Sequence, residues 1–251
     1  MKQRRKEIIE YLETHITAET NHLANMFGVT QMTIRRDFDE LEKRGLITTI
    51  HGGAMINALP TLGSKKHNLV ETGEEKRRVA KLASALINDG DTIILDAGSS
   101  IKDLASQLDE KKELTILTNS ILVMNVLARS DNQFRLIFLP GRFKKSSMAC
   151  FGSTTNKFLE DFRVDKAFIG AMGYTANDGA TITDVEESYT KAKMIEIADQ
   201  SILLADYTKI GEKYLSKVEK NKKIDILVTD SQSDKEELAL IEEMGVKICI
   251  A

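Results

Sequence analysis

The chain has 251 residues, a formal net charge of −3 and 42% hydrophobic residues, and it contains 15 Gly but only 2 Pro. This composition excludes disordered, collagen-like and linker-dominated chains, and the length allows one large domain or two smaller ones. The chain contains no run of 18 apolar residues, and no apolar stretch follows the charged N-terminus, so we expect neither secretion nor a membrane partner. A net charge near zero argues against a wholly basic nucleic-acid binder and leaves a local basic patch open.

The cysteine and histidine residues predict neither a disulfide nor a metal site. Cys150 and Cys249 each lie in an apolar run, which favours buried, reduced thiols and a cytoplasmic protein. His15, His22 and His51 have no Cys among them, and their spacings match no metal-ligand motif. We therefore expect no metal and no cofactor.

The pattern of apolar residues changes near residue 60, where Pro60 and Gly63 indicate a linker. Three short helical patterns precede this segment, whereas strand-like apolar runs alternate with amphipathic helical stretches after it. The second pattern is typical of βα units around a parallel sheet. We predict two domains, with bounds 1–58 for the first, 59–73 for the linker and 74–251 for the second.

The first domain is predicted to contain three short helices. In the first, apolar residues recur every four positions from Ile8. The second runs from Thr20, which we expect to be its N-cap, to Gly28. Thr30 is the predicted N-cap of a third helix over 31–44, whose apolar residues face inward. Two helices joined by a turn are typical of the helix-turn-helix unit, whose second helix lies in the DNA major groove.

The third helix and the segment after it supply candidate DNA-binding residues. Polar and basic side chains lie off the apolar stripe in its first two turns, where side chains reach base edges and phosphates. The β-branched run and Gly-rich turn of residues 46–56 predict a hairpin, or wing, whose tip is compatible with phosphate contact. The candidate residues are Thr30, Gln31, Thr33, Arg35, Arg36 and His51. The alternative is a three-helix bundle with a solvated Arg-Arg pair and a simple tight turn.

In the second domain, seven strand-like runs alternate with amphipathic helices. The predicted strands are Thr92–Asp96, Leu114–Thr118, Phe134–Leu139, Lys166–Gly170, Ser201–Ala205, Ile224–Thr229 and Val246–Ile250. The sequence therefore predicts an α/β protein in which an N-terminal winged helix-turn-helix precedes a doubly wound, mostly parallel, Rossmann-like sheet. Ligands bind beyond the carboxyl ends of the strands in such sheets, so the residues after each run are the informative ones.

The strand ends are rich in glycines, hydroxyls, acids and lysine. The segment 96–100, Asp-Ala-Gly-Ser-Ser, would bring backbone N–H groups and two hydroxyls to an anion at a helix N-terminus. Lys209 would place a point charge on that anion, and Asp96 or Glu187 would accept hydrogen bonds from hydroxyls. This combination suits a ligand with a phosphate at one end and sugar hydroxyls at the other.

Each of these features also has a purely structural interpretation. Gly98 and the serines after it fit an ordinary strand-to-helix turn. Asp184 and Glu187 form a capping box, and capping the helix is the structural alternative to ligand binding for Glu187. Asp178-Gly179 is a common turn pair, and Lys209 fits a solvated loop. The joint placement at strand ends favours the anion site.

The segment 30–47, with its Thr-Ile-Arg-Arg-Asp run, and the His-Gly-Gly-Ala wing at 51–54 resemble the DeoR family of bacterial transcription regulators. Family members usually carry Ser where this chain has Thr30, a change that keeps the capping oxygen. The resemblance covers essentially the whole chain, because the second domain fits the family's effector domain. The DNA contacts that the resemblance implies are Thr33, Arg35 and Arg36.

The DeoR effector domain is similar in fold to ribose-5-phosphate isomerase and the glucosamine-phosphate deaminases. That resemblance implies a phosphate loop of Asp96, Gly98, Ser99 and Ser100, and a sugar side of Thr118, Asn119 and Ser120. It also implies that Asp178, Gly179, Glu187 and Lys209 line the region corresponding to the isomerase active site. Glu186 and Glu187 remain interchangeable candidates for the acid.

These features predict a cytoplasmic repressor of a carbohydrate-utilisation operon, which a phosphorylated sugar or sugar alcohol releases from double-stranded operator DNA. A homodimer or homotetramer is expected, because one recognition helix reads only a few base pairs. We expect no catalytic residues. The alternative is a sugar-phosphate isomerase or deaminase with an accessory DNA-binding module. A nucleotide-binding regulator is disfavoured, because the loop after the first strand lacks the glycine spacing of nucleotide phosphate loops.

Overall fold

The computed structural model of the chain describes residues 3–15, 17–43, 46–50, 52–56, 73–219 and 223–251. The chain divides into two compact units, Met1–Lys66 and His67–Ala251. The boundary between the units falls inside the predicted linker, 59–73, of which only Gly73 belongs to the described residues. None of the described helices combines the length and the apolar character that crossing a membrane requires.

The first unit consists of three helices and a small antiparallel sheet. Its elements in chain order are α1 (Gln3–His15), β1 (Thr17–Glu19), α2 (Thr20–Phe27), α3 (Gln31–Lys43), β2 (Ile47–Ile50) and β3 (Gly53–Ile56). Strand β3 lies between β1 and β2. The helices bury apolar stripes in a core that includes Ile8, Leu23, Phe38 and Leu41. The helix-turn-helix and the hairpin confirm the predicted winged helix fold.

Two local features of this unit differ from the sequence predictions. Thr20 is the first residue of α2 rather than its N-cap, and its side chain is buried. The cap position belongs to Glu19, whose side chain makes no cap bond to the described helix. Strand β1 has only three residues, too few to show an alternating pattern. It approaches β3 so closely that a Cβ on Gly53 would collide with the carbonyl oxygen of Ala18.

The second unit is an α/β domain. Its strands in chain order are β4 (Thr92–Leu95), β5 (Thr115–Thr118), β6 (Arg135–Phe138), β7 (Arg142–Lys144), β8 (Ala149–Phe151), β9 (Val164–Gly170), β10 (Gly173–Thr175), β11 (Gly179–Ile182), β12 (Ala198–Leu204), β13 (Ser216–Lys217), β14 (Ile226–Thr229) and β15 (Lys247–Ile250). Its helices are α4 (Gly73–Ser84), α5 (Ser99–Ala105), α6 (Ile121–Leu127), α7 (Ser153–Leu159), α8 (Val185–Glu196) and α9 (Lys235–Glu243), with a short 3-10 helix at Tyr207–Lys209.

Seven of these strands form one parallel sheet in the order β15-β14-β12-β9-β4-β5-β6. They are the seven predicted strands, and their observed bounds differ from the predicted ones by at most three residues. Helices α4, α5 and α6 pack on one face of the sheet, and α7, α8 and α9 pack on the other. The sheet is therefore doubly wound, as predicted.

The chain also forms short elements that the sequence pattern does not predict. Strands β7 and β8 form an antiparallel ribbon, and β10, β11 and β13 form a second small sheet. The ribbon covers the carboxyl end of β5, where Ser120 forms a β-bridge with Ala149. Most of these strands lack the continuous apolar run that marks the equally short strands of the large sheet. The ribbon and α8 enclose the edge of the sheet at which a ligand is expected.

Candidate functional site

The candidate recognition helix, α3, begins as predicted. Oγ1 of Thr30 accepts a hydrogen bond from the N–H of Thr33 at 3.3 Å and lies 3.0 Å from the Thr33 hydroxyl. Nε2 of Gln31 donates to Oδ1 of Asn21 in α2 at 3.2 Å, which ties the two helices of the helix-turn-helix together. The structure thus brings three predicted DNA-binding residues to the start of α3, where their polar groups also bond within the protein.

The positive charge in the first two turns of α3 comes from Arg35 and Arg36. Both side chains are exposed, and neither forms an ion pair within the part of the chain that the structure describes. Arg4 and Arg5 of α1 instead pair with the buried carboxylate of Asp37, at 2.6 and 2.7 Å, and Arg5 also lies 3.5 Å from Glu40. The remaining predicted DNA-binding residue, His51, lies outside the described residues.

Asp37 is a residue that the sequence analysis missed. Its side chain is 3% exposed and binds α1 to α3 through two arginines. The available signal is its position, three residues after Ile34 on the inward stripe of α3, where a charged residue needs a partner. This ion pair fixes the helix that supports α3.

At the carboxyl end of the large sheet, Asp96 is fully buried in an ion pair. The ammonium of Lys191 in α8 bonds to Oδ2 of Asp96, and the N–H of Gly170 donates to the same oxygen at 3.0 Å. Burial raises the pKa of the Asp96 carboxyl, and the Lys191 ammonium opposes that rise. Burial by itself would lower the pKa of Lys191, but the carboxylates of Asp96 and Glu187 outweigh it and raise that pKa. Lys191 is therefore protonated at neutral pH and neutralises the buried carboxylate.

Lys191 is absent from the predicted site, although the sequence carries one signal for it. It lies four residues after Glu187 of the capping box, which is the spacing of an ion pair in the helix that such a box opens. Its second partner, Asp96, is 95 positions away along the chain. Only the packing of α8 on the sheet brings the two together.

A chain of lysines and carboxylates continues from this pair along the first turn of α8. Nζ of Lys191 lies 3.6 Å from Glu187, and Nζ of Lys144 in β7 contacts Glu187 at 3.1 Å and Asp184 at 2.9 Å. Asp184 is the N-cap of α8 and accepts from the N–H of Glu187 at 2.9 Å. That bond and the Lys144 ammonium hold the pKa of Asp184 below its ordinary value. The Glu187 carboxylate thus bridges two lysines.

Thr118, the last residue of β5, and the two residues after it, Asn119 and Ser120, are fully buried. Oγ1 of Thr118 accepts from the N–H of Ser120 at 3.1 Å, and Oγ of Ser120 caps α6 by accepting from the N–H of Val123 at 3.3 Å. Nδ2 of Asn119 donates to the carbonyl oxygen of Cys150 at 3.0 Å. The two hydroxyls are therefore used within the turn, whereas Oδ1 of Asn119 has no hydrogen-bond partner among the described residues.

Four buried side-chain atoms lack a hydrogen-bond partner among the described residues, namely Oε2 of Glu75, Oδ1 of Asp96, Oδ1 of Asn119 and Oγ of Ser147. Asp96 and Asn119 follow β4 and β5, and Ser147 lies in the turn of the β7–β8 ribbon. Glu75 accepts a 3.3 Å bond from Gln232, which follows β14. All four residues therefore lie at the carboxyl end of the sheet. Asp96, Asn119 and Ser147 lie together around β4 and β5, whereas three strands separate β14, beside Glu75, from β5. Buried polar atoms are nearly always paired, so their gathering at one edge indicates a site for a polar ligand.

The loop after β4 and the segment after β12 lie at the same edge. Gly98 precedes α5 with a φ of 145°, a backbone angle that glycine adopts readily and other residues rarely do. Ser99 and Ser100 open α5, and Ser99 is exposed. Lys209 ends the 3-10 helix that follows β12 and is half-buried. These predicted residues therefore share one edge of the sheet with Asp96 and Asn119.

Asp178 and Gly179 lie elsewhere. They form the turn between β10 and β11, beside a cavity of about 320 Å³ whose lining includes Val246, the residue that precedes β15. Asp178 pairs with Lys217 at 2.8 Å, which holds the pKa of that carboxyl below its ordinary value. The β10–β11 hairpin thus carries the turn to the amino end of the sheet. The structure does not bring these two predicted residues together with Asp96.

The thiols and acids form no evident metal centre. Among the described residues, no three His, Cys, Asp or Glu side chains gather as a metal ion requires. Both cysteines are free thiols, Cys150 buried and Cys249 half-buried. Burial raises the pKa of the Cys150 thiol, which disfavours the reactive thiolate.

The fold and these residues define a two-part regulator, with a winged helix-turn-helix unit for DNA and a doubly wound α/β unit with a polar site at its sheet edge. A family model of the DeoR-like helix-turn-helix domain matches residues 4–58, and a model of the DeoR C terminal sensor domain matches residues 71–231. The chain therefore belongs to the DeoR family, and it is a DNA-binding transcriptional regulator.

Bacterial regulators resemble the chain over nearly its whole length. It is 32% identical to the HTH-type transcriptional repressor GlcR of Bacillus subtilis over 97% of this chain and 93% of that protein. It is 34% identical to a lactose phosphotransferase system repressor of Staphylococcus epidermidis over 90% of both chains. It is 29% identical to the HTH-type transcriptional regulator IolR of Bacillus subtilis over 98% of both chains.

Solved structures resemble part of the chain. Ribose 5-phosphate isomerase A from Methanocaldococcus jannaschii aligns with a TM-score of 0.41 and 17% identity, covering 56% of this chain and 55% of the isomerase. The translation initiation factor eIF-2B of Pyrococcus horikoshii aligns with a TM-score of 0.41 and 21% identity, covering 59% of this chain and 51% of that one. These values describe a partial likeness of fold and nothing further.

Proposed function

We propose that this regulator represses a carbohydrate-utilisation operon, and that a phosphorylated sugar or sugar alcohol releases it from double-stranded operator DNA. Family membership supports the DNA-binding half of the proposal. The relatives named as GlcR and as lactose phosphotransferase system repressors support repression of genes for carbohydrate use. A regulator of this kind acts in the bacterial cytoplasm, which is the proposed compartment.

The DNA interface is proposed to be the exposed side of α3 together with the wing. The proposed contacts are Thr30, Gln31, Thr33, Arg35, Arg36 and His51. The guanidinium groups of Arg35 and Arg36, which form no ion pair with any described residue, suit phosphates or guanine edges. One helix reads only a few base pairs, so the proposal includes a homodimer or homotetramer whose paired helices read two half-sites.

The observation that carries the effector half is the gathering of unpaired buried polar atoms at the carboxyl end of the sheet. A ligand with several hydroxyls supplies the missing partners, and the phosphate suits the backbone N–H groups of the loop after β4 and the Lys209 ammonium. The proposed effector residues are Asp96, Gly98, Ser99, Ser100, Thr118, Asn119, Ser120, Glu187 and Lys209. Asp178 and Gly179 are not included, because they lie at the opposite edge.

A receptor role is favoured over isomerase chemistry. A general base needs a carboxylate that is free to take a proton from the substrate. Asp96 is held by Lys191, and Glu187 lies between Lys191 and Lys144. Both acids are thus occupied by lysine ammonium groups, so we propose that the unit binds its ligand without converting it.

The proposed mechanism is thermodynamic linkage between the two sites. If the effector binds more tightly to the arrangement that cannot bind the operator, it shifts the population away from DNA. Reciprocity then requires operator DNA to weaken effector binding by the same factor.

Footprinting on the DNA upstream of the chain's own gene tests the proposal. We expect wild-type protein to protect a repeated sequence, and the Arg35→Ala/Arg36→Ala double variant to lose that protection while remaining folded. A chain that protects no sequence, or a double variant that binds as well as wild type, would contradict the DNA-binding half of the proposal.

A further inference from the structure

Asp96 and Asn119 each present one buried oxygen to the edge of the sheet. Oδ2 of Asp96 is bonded by Lys191 and by the N–H of Gly170, and Nδ2 of Asn119 is bonded to Cys150. Oδ1 of each residue has no partner among the described residues, although both side chains are fully buried. The bonds to the other atoms fix the orientation of both side chains.

The two residues are neighbours on one face of the sheet. Leu95 pairs with Thr118 in the parallel register of β4 and β5, so the next residues, Asp96 and Asn119, are also side by side. Paired positions in adjacent strands point to the same face, and the strands are about 4.8 Å apart. The two side chains are therefore close enough for one small ligand to contact both.

The chemistry of this pair selects the ligand group that fits. Both oxygens are acceptors, so a phosphate oxygen would be repelled. A metal ion or an ammonium group is disfavoured as well, because the Lys191 ammonium already lies on the same carboxylate. The remaining donor is a neutral hydroxyl group. Each oxygen can accept a hydrogen bond from a hydroxyl without bringing like charges together.

We propose that Asp96 and Asn119 form a subsite for two hydroxyl groups of the effector, and that the effector's phosphate lies elsewhere on the sheet edge. This inference rests on the proposed function. It differs from the family resemblance, which groups Asp96 with the phosphate loop. The sugar part of the ligand, rather than its phosphate, would then contact the residues that α8 holds in place.

Calorimetric titration of the full chain tests the subsite with ribose 5-phosphate, glucose 6-phosphate, fructose 1-phosphate, tagatose 6-phosphate and inorganic phosphate. We expect Asn119→Ala to bind the preferred sugar phosphate about five- to tenfold more weakly, as loss of one buried hydrogen bond requires. Its affinity for inorganic phosphate should not change. Asn177→Ala, an exposed asparagine at the other edge, is the matched control and should bind as wild type does.

Removal of single hydroxyls from the ligand provides a second measurement, which needs only wild-type protein. Deoxy analogues of the preferred sugar phosphate should include two that bind about five- to tenfold more weakly. Unchanged affinity for every deoxy analogue, or an equal loss of inorganic phosphate binding in Asn119→Ala, would overturn the subsite. If no sugar phosphate binds wild type, the proposed effector class fails and the subsite fails with it.

A second inference concerns Met32 in α3, whose side chain is 58% exposed. The buried residues of α3 are Ile34, Asp37, Phe38 and Leu41. At about 100° per residue, Met32 and Arg36 lie within about 30° of the line opposite to these buried residues. The two side chains are one turn apart, so they share the outermost stripe of the helix.

An isolated exposed apolar side chain is ordinary on a protein surface, but the surroundings of Met32 are specific. The polar side chains on either side of it are engaged within the protein, Gln31 with Asn21 and Thr33 with Thr30. The outermost line of a recognition helix faces the floor of the major groove, where the thymine methyl is the apolar group that distinguishes one base from the others.

We propose that Met32 is a specificity-determining residue that contacts a thymine methyl group in each half-site. The proposal uses an observation of the first unit only and is independent of the effector site. The adjacent Arg36 would then contact a neighbouring base or phosphate. Replacing thymine by deoxyuridine removes only this methyl group, so it isolates the contact.

Binding of full-length protein to the footprinted sequence, with each thymine replaced in turn by deoxyuridine, tests this role. We expect one position per half-site at which the replacement weakens wild-type binding about fourfold, the effect of one buried methyl group. Met32→Ala should be insensitive to that replacement. Met26→Ala, which alters a 50% exposed methionine of α2, should keep the wild-type sensitivity.

Two results would overturn the role of Met32. One is a wild-type protein that tolerates deoxyuridine at every position, and the other is a Met32→Ala variant that keeps the wild-type sensitivity. Absence of any protected sequence would contradict the proposed DNA binding itself, and the contact would fall with it.

Discussion

At the scale of single residues, the buried ion pair of the second unit shows which site residues a sequence predicts and which it does not. Asp96 can be predicted from the sequence, because an acid directly after a buried strand lies at the carboxyl end of the sheet. Lys191 cannot be predicted from the sequence, because its contact with Asp96 depends on how α8 packs on the sheet. In the structure, Asp96 forms an ion pair with Lys191 through Oδ2, and its Oδ1 has no hydrogen-bond partner among the described residues.

Removing Lys191 should cost more stability than removing both charges of the pair. Lys191→Met leaves the Asp96 carboxylate buried with the Gly170 N–H but without a counter-charge, and the free energy of unfolding should fall by about 3–5 kcal/mol. The Asp96→Asn/Lys191→Met double variant lacks both charges and should recover most of that loss. Urea denaturation of both variants measures the difference. A Lys191→Met protein as stable as wild type would show that the pair is not needed.

Asp184 should make the stability of the second unit depend on pH in the acid range. Its pKa in the folded protein lies below the ordinary value of 3.8, because the Glu187 N–H and Lys144 stabilise the carboxylate. Its contribution is present above the unfolded pKa and is lost as the pH falls through the folded pKa. We expect Asp184→Asn to flatten the decline of unfolding free energy below about pH 4. An unchanged decline in urea denaturation at stepwise pH would contradict this assignment.

At the scale of elements, the pattern of apolar residues predicts the helices and the strands that have a clear apolar run or stripe. The seven strands of the large sheet and the three helices of the first unit follow from apolar spacing and turn residues. The β7–β8 ribbon and the β10-β11-β13 sheet do not, because most of their strands contain no continuous apolar run. The placement of Asp178 depends on that small sheet, which explains why sequence reasoning grouped it with the wrong edge.

The N-cap of α3 links an element to its function. Thr30→Ala removes the oxygen that accepts from the Thr33 N–H and should lower the stability of the first unit by about 1 kcal/mol. Thr30→Ser keeps the capping oxygen and is the matched control. Thermal unfolding followed by circular dichroism measures both. An equal loss of stability in both variants would show that the loss does not come from the cap hydrogen bond.

At the scale of the whole molecule, the charge distribution shapes the expected DNA binding. Residues 1–58 carry eight basic and eight acidic side chains, so the net charge of −3 belongs to the rest of the chain. Arg4 and Arg5 are paired with Asp37, and Arg5 also with Glu40, which reduces the positive charge available to phosphate. Affinity should therefore depend on paired half-sites rather than on a broad basic surface.

The salt dependence of binding tests this view. If Arg35 contacts a phosphate, Arg35→Ala should reduce the slope of log affinity against log salt concentration by about 1 for each chain in the complex. Fluorescence anisotropy of the footprinted sequence at several salt concentrations gives the slope. Lys43→Ala, an exposed lysine near the other end of α3, is the control. Equal slopes for wild type and Arg35→Ala would rule out the phosphate contact.

The central claim is that one chain joins operator binding to sugar-phosphate sensing. The most direct measurement is the affinity of full-length protein for its footprinted DNA with and without the sugar phosphate that binds tightest, together with the affinity for that sugar phosphate with and without the DNA. We predict that each ligand weakens the other by the same factor. Sugar-phosphate binding that leaves operator affinity unchanged would contradict the account.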